Sequence, residues 1–392
     1  MSPLLAQSGH SICRIVCRSW EQSGHALLRR TCLLLTQSGH RVQSEADPLP
    51  SAGANCYHRM SNLGATTMKL LKIVAVLATY FIPALAPAES VSSDFAARTE
   101  LLAIDTLTLS DSQFLAGDSN AKATITTGLF RIASGVGRLP VVVLQHGSGG
   151  MGGNIEMWAR ELNAMGVSTL ALDGFTGRGL TSVNTSQGAL GRLNFILDIY
   201  RALDVLAKHP RVDPQRIVLM GFSRGGQAAL YASLKRFHKM WNKSGIEFAA
   251  YIPFYPDCAT TFISDTDVAD RPIRIFGGTL DDYDPIALCK PYAERLKAAG
   301  HDVQVTEYAT APHAFDNPLG PTPAAVVANA QTVRHCMIVE EPAGVLISAS
   351  TRQPFTYKDP CVELNPHVGY DAASTEQAKR SVKEFLKAVF KS

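Results

Sequence analysis

Short apolar runs alternate with helix-period segments through most of the chain. Continuous apolar runs at 140–144 and 217–220 suit strands buried on both faces of a parallel sheet, and 167–172 predicts a third strand. Looser alternation at 101–109 and 123–132 predicts two edge strands leading in, and runs at 248–255, 273–276 and 303–308 predict three later strands. Helical spacing of Ile155, Trp158 and Leu162 predicts a helix over 154–165, ended by Gly166. Further helices are expected at 193–207, 227–235, 285–299 and 376–390. Strands alternating with helices in this way indicate an α/β fold, a mostly parallel sheet with helices on both faces. Right-handed crossovers bring the C-terminal strand ends to one edge, where open α/β sheets bind ligands.

Candidate chemistry collects at that edge. Gly221-Phe222-Ser223-Arg224-Gly225 fits G-x-S-x-G, a turn that lifts a serine hydroxyl above the sheet, and it stands between a predicted strand and a predicted helix. A serine nucleophile needs a base, and the base needs a group to orient it. His313 lies just beyond the strand at 303–308, whereas His301 precedes that strand and His335 and His367 fall in a later loop-rich excursion. For the acid, Asp281, Asp282 and Asp284 all follow the strand at 273–276, while Asp265, Asp267 and Asp270 precede it. Asp281, four residues before Pro285, sits in the loop itself and is preferred over Asp282, with Asp257 as an outside candidate. Developing charge on an acyl oxygen calls for backbone donors, expected from Arg224 and from Ser148 in the loop His146-Gly147-Ser148-Gly149. Arg178, in the loop after the strand at 167–172, is a candidate for meeting a substrate carboxylate. No early strand is followed by a dinucleotide or P-loop glycine pattern, and His10, His25 and His40 upstream form no compact ligand cluster, so no metal is expected.

Gly221-Phe-Ser-Arg-Gly-Gly226, Gly278-Thr-Leu-Asp-Asp-Tyr-Asp-Pro285 and Tyr308-Ala-Thr-Ala-Pro-His-Ala-Phe-Asp316, in this order, resemble the dienelactone hydrolase family of α/β hydrolases. The resemblance implies an α/β-hydrolase fold and cofactor-free hydrolysis of a small ester or lactone. Carried over by position, it supports Ser223 as nucleophile, Asp281 as acid and His313 as base. The family's namesake enzymes use a cysteine nucleophile. With serine in that place, a serine carboxylesterase is expected rather than an enzyme that opens dienelactones. An acyltransferase using the same triad, or a hydrolase-like binding protein without turnover, are the alternatives.

Composition narrows the setting. The net charge is +3, without a long basic run, which excludes nucleic acid or an anionic membrane surface as an expected partner. Met68-Lys-Leu-Leu-Lys72, a nearly apolar stretch at 73–82 and small residues at 84–88 read as a signal peptide over 68–88. It is too short for a comfortable membrane span, so no stable insertion is expected after cleavage. Upstream, Gln-Ser-Gly-His recurs at 7–10, 22–25 and 37–40, and 1–67 is taken as a misassigned upstream or disordered segment outside the fold. The hydrolase domain is then 89–392, exported to the periplasm or secreted. It holds Cys258, Cys289, Cys336 and Cys361, which allow three pairings. The preferred one is Cys258–Cys289 with Cys336–Cys361. The long excursion at 317–371 starts at the active edge and is expected to wall the substrate pocket.

Overall fold

The computed structural model describes residues 96–391 and, upstream, the backbone of four short strands, Leu5–Ser8, Ser11–Arg18, Thr31–Leu35 and Arg41–Val42, paired antiparallel in sequence. The rest of 1–67 and the expected leader at 68–88 lie outside the described residues. Contacts divide the chain into Met1–Ile82 and Pro83–Ser392, and the second unit carries the chemistry.

That unit is built on an eight-stranded sheet. Its strands in chain order are β1 (Arg98–Thr108), β2 (Lys122–Ile132), β3 (Leu139–Gln145), β4 (Ser168–Asp173), β5 (Val212–Phe222), β6 (Ala250–Phe254), β7 (Ile273–Gly278) and β8 (Val303–Tyr308). Across the sheet they run β8-β7-β6-β5-β3-β4-β2-β1. The six from β8 to β4 are parallel, and β2 and β1 are added antiparallel. This is the arrangement of an α/β hydrolase.

The central strands show why the apolar runs are continuous. Val141 and Val143 of β3, with Ile217 and Leu219 of β5, face one core, while Val142, Leu144, Val218 and Met220 face the other. Side chains alternate across a strand, so a strand covered on both sides has no polar position to spare. The first core is closed by α3 (Asn194–Ala207), α4 (Arg224–Tyr231), α5 (Lys235–Trp241) and α6 (Cys289–Ala298). The second is closed by α2 (Gly153–Asn163), through Ile155, Trp158 and Leu162, and by α7 (Ala372–Val389), through Ala378, Val382 and Leu386.

Several boundaries differ from expectation for local reasons. The helix expected at 227–235 starts at Arg224 and breaks after Tyr231, where Lys235 N–H bonds to Asp267 O and a new helix begins. The helix expected at 285–299 opens with a 3-10 turn, Ile286–Leu288, before α6. The last helix begins earlier than 376 because Asp371 caps it, its carboxylate accepting from Ser374 N–H. A short helix, α1 (Asp111–Ala116), was not expected at all. It is held by a capping box in which Ser110 and Gln113 satisfy each other's backbone N–H.

Both preferred disulfides are present, Cys258–Cys289 with Cα atoms 5.1 Å apart and Cys336–Cys361 at 5.0 Å. The excursion at 317–371 forms three small pairings, Ala325–Val326 with His367–Val368, Gln331–Thr332 with Glu363–Leu364, and Ile338–Glu341 with Val345–Ser348. Among the described residues no helix is long and apolar enough to cross a membrane.

Candidate active site

Ser223 stands at the tip of the turn between β5 and α4 with φ 55° and ψ −119°, a conformation that non-glycine residues rarely adopt. Its neighbours make the turn possible. A Cβ on Gly221 would lie 2.0 Å from Gly225 O, and one on Gly225 would lie 2.2 Å from Gln145 O. Only glycine fits at either place. Ser223 N–H is tied to Phe254 O of β6, so the strained residue is fixed to the neighbouring strand.

The loops after β7 and β8 bring Asp281 and His313 together. His313 Nδ1 lies 2.8 Å from Asp281 Oδ2, and both side chains are buried. Asp281 is itself aimed by its loop, since its Oδ1 accepts from Tyr283 N–H at 2.9 Å and Asp284 N–H at 2.8 Å. Burial pulls the His313 pKa down, but the charge and hydrogen bond of Asp281, with the charges of Asp284 and Asp316, outweigh it and leave it raised. Tyr255 and Tyr283 hold the imidazole between their rings, with centroids 4.8 and 4.7 Å away.

Of the other acids weighed from the sequence, Asp282 is half-exposed and spends its carboxylate on the excursion, accepting from His367 N–H and pairing with His367 Nδ1 and Arg334. Asp257 is paired with Arg192 at 2.9 Å and caps Ala259 N–H. Asp281 alone among them meets His313 by a hydrogen bond.

Asp284 occupies a place that the sequence reading did not foresee. Ser223 Oγ donates to Asp284 Oδ2 at 3.3 Å rather than to His313, and the same oxygen lies 3.9 Å from His313 Nε2. The carboxyl therefore sits beside both the nucleophile and the base. Burial pushes its pKa up to about 8, against the lowering effect of His313 and with help from Asp257 and Asp281.

Two cavities meet at Ser223. A cleft of about 210 Å³ is lined by the glycine loop after β3, by Tyr255, Tyr283, His313 and Ala314, and by Asn317, Val327 and Val368 of the excursion. A narrow chamber of about 20 Å³ is lined by Ser148, Gln187, Arg192, Arg224, Gln227 and Asp257, with Tyr283 and Asp284, and is roofed by Gln331, Thr332, Val333 and Tyr357. The excursion thus contributes to both walls. Thr332 Oγ1 and Arg334 Nη1 donate to the carbonyls of Tyr283 and Asp282, joining it to the acid loop.

Arg224 is the first residue of α4, so its N–H is among those with no intrahelical acceptor. Ser148 lines both cavities beside Ser223. The Arg224 side chain lies along the chamber wall, donating to Gln187 O and Oε1 and to Leu190 O. Arg178 corrects an expectation. Its guanidinium is buried and donates to Asp198, Thr108 Oγ1, Leu107 O and Gly174 O, so it locks β1 to α3 and has no donor for a substrate. Among the described residues no group of three or more His, Cys, Asp or Glu could hold a metal ion.

The sequence of residues 127–390 matches the family model of the dienelactone hydrolase family. No curated protein matches the chain. Among solved structures, it is similar to a dienelactone hydrolase-like promiscuous phosphotriesterase from metagenomic libraries, at 18% identity and TM-score 0.50 over 74% of this chain and 98% of that one. It is also similar to esterase 2 of Thermogutta terrifontis, at 19% identity and TM-score 0.41 over 55% and 86%. An α/β hydrolase from a Medee basin deep-sea metagenome is similar at 16% identity and TM-score 0.37 over 49% and 78%. The chain belongs to the dienelactone hydrolase family and is an esterase-type hydrolase built on the α/β-hydrolase fold.

Proposed function

We propose that the protein is a serine hydrolase that cleaves a carboxylic ester or lactone through an acyl-enzyme on Ser223. The observation that carries this is the buried His313–Asp281 pair, 2.8 Å apart, at the same strand edge as a serine held in a strained turn. Rotation of Ser223 Oγ from Asp284 toward His313 Nε2 gives the base its proton to remove. Oγ then bonds to the carbonyl carbon, and the backbone N–H groups of Ser148 and Arg224 receive the oxyanion. The bond to the alcohol oxygen breaks as His313 returns the proton to it, and water repeats the sequence to release the acid. Asp281 keeps Nδ1 protonated and the ring in place throughout.

Turnover of a p-nitrophenyl ester tests the assignment. Ser223→Ala and His313→Ala should each lower kcat by on the order of 10⁴-fold or more, and Asp281→Asn by less than Ser223→Ala. Retention of wild-type kcat in either of the first two would overturn it. We also take 89–392 as the mature domain, exported to the periplasm or secreted. The two disulfides support this, since such bonds persist in oxidising compartments. N-terminal sequencing of the exported protein should start close to Glu89, and recovery of residues before Met68 would contradict it.

A further inference from the structure

The two cavities at Ser223 differ in chemistry, and the position of His313 says which part of a substrate enters each. The base must hand its proton to the leaving alcohol oxygen, so the leaving group lies on the side of His313. His313 lines the 210 Å³ cleft and not the narrow chamber. The acyl substituent therefore points the other way, into the chamber. Its volume of about 20 Å³ is close to that of a single water-sized probe, room for one small group beyond the acyl Cα.

The chamber wall is polar nearly throughout. Asp284 Oδ2 is 3.3 Å from Ser223 Oγ, so it lies within reach of a substituent on the carbon next to an acyl carbonyl bonded there. Gln227 Nε2 is shared with Asp257, and Arg192 is held by Asp257, Thr260 and Tyr357. Arg192 Nε and Arg224 Nε are buried without a hydrogen-bond partner. A methyl group placed here would face donors and acceptors it cannot satisfy. A hydroxyl can both donate and accept. An ammonium would meet Arg224, whose side-chain hydrogen bonds all end on neutral carbonyl oxygens.

From this geometry we infer that the chamber is an acyl subsite for short 2-hydroxyacyl groups of glycolyl size, with Asp284 as the residue that selects the hydroxyl. The inference rests on acylation of Ser223. Sites built to bond a hydroxyl discriminate strongly against the analogue that lacks it. Selectivity should therefore be legible in kcat/KM for esters that differ in one terminal atom.

Glycolyl, propanoyl and glycyl esters of one alcohol form the test set, because their acyl groups match in length and end in hydroxyl, methyl and ammonium. Each rate is divided by that of alkaline hydrolysis, which removes the intrinsic reactivity of the ester. On this scale the wild type should prefer glycolyl over propanoyl by about tenfold or more, and over glycyl as well. Asp284→Ala should bring the glycolyl/propanoyl ratio close to one, and Asp284→Asn, which keeps the shape of the side chain, should fall between. Fluorophosphonate labelling of Ser223 is followed in parallel. If Ser223 is not labelled, the underlying acyl-enzyme reading fails. If it is labelled while the wild type favours propanoyl or glycyl, or while both variants keep the wild-type ratio, the subsite assignment alone is overturned.

Discussion

Replacing Asp284 by asparagine should stabilise the protein, and by more as the pH rises. The carboxyl is 8% exposed, and its pKa moves from an ordinary 3.8 in the unfolded chain to about 8 in the folded one. Between those values the folded state binds one proton more than the unfolded state, so stability falls with rising pH. The loss begins near pH 4 and is complete above about pH 8. At ~1.4 kcal/mol per pKa unit, a shift of about four units has a ceiling of ~6 kcal/mol, of which less than a third has accrued at pH 5. Asparagine keeps an oxygen for the Ser223 hydroxyl but has no charge to desolvate. A domain of this size moves by roughly 2–4 °C per kcal/mol. The gain in Tm of Asp284→Asn over wild type should therefore be at least ~4 °C larger at pH 9 than at pH 5. Calorimetric scans of both proteins across that range measure it. A gain that is flat with pH, or that shrinks at high pH, would mean that Asp284 is ionised in the folded state as a partner of His313.

Other consequences follow from single contacts. Arg178→Ala leaves Asp198 charged and buried without its guanidinium, so it should cost ~3–5 kcal/mol in urea unfolding; a loss below ~1 kcal/mol would contradict the locking role. The raised pKa of His313 should place the acid limb of kcat/KM above the ordinary histidine value of 6.5, with activity falling as the pH drops through it. In Asp284→Asn that limb should stay close to its wild-type position, because the carboxyl is already protonated in that range; a limb that moves to lower pH would mean that Asp284 is ionised beside His313. Cys258–Cys289 joins the segment after β6 to the start of α6, just beyond the acid loop. Mild reduction should lower esterase activity before circular dichroism reports unfolding, and activity that persists until the fold is lost would sink that coupling.

The sheet was readable because its two central strands carry continuous apolar runs. Ile217 to Met220 and Val141 to Leu144 are fully buried. Chain order and strand edge, which topology determines, place Ser223, His313 and Asp281 at one edge of the sheet. The misses share a cause: each depends on where a side chain points. Asp284 is three residues from Asp281, yet the turn that Asp281 makes with the N–H groups of Tyr283 and Asp284 sends the two carboxyls to different partners. Arg178 was correctly placed in its loop, but its partner Asp198 lies on α3 and emerges only from the packing of β1 on that helix. Helix α1 had a signal in Ser110 and Gln113 that went unread among the polar residues around it. That the excursion would wall the pocket was expected from where it starts, but its clamp on the acid loop depends on its contacts with Asp282 and Tyr283.

Covalent labelling of the nucleophile tests the central claim most directly. The purified protein, treated with a fluorophosphonate and digested, should yield one modified peptide, carrying the probe on Ser223, and labelling should vanish together with esterase activity in Ser223→Ala. Probe on a different serine, or ester hydrolysis that survives the substitution, would contradict the account.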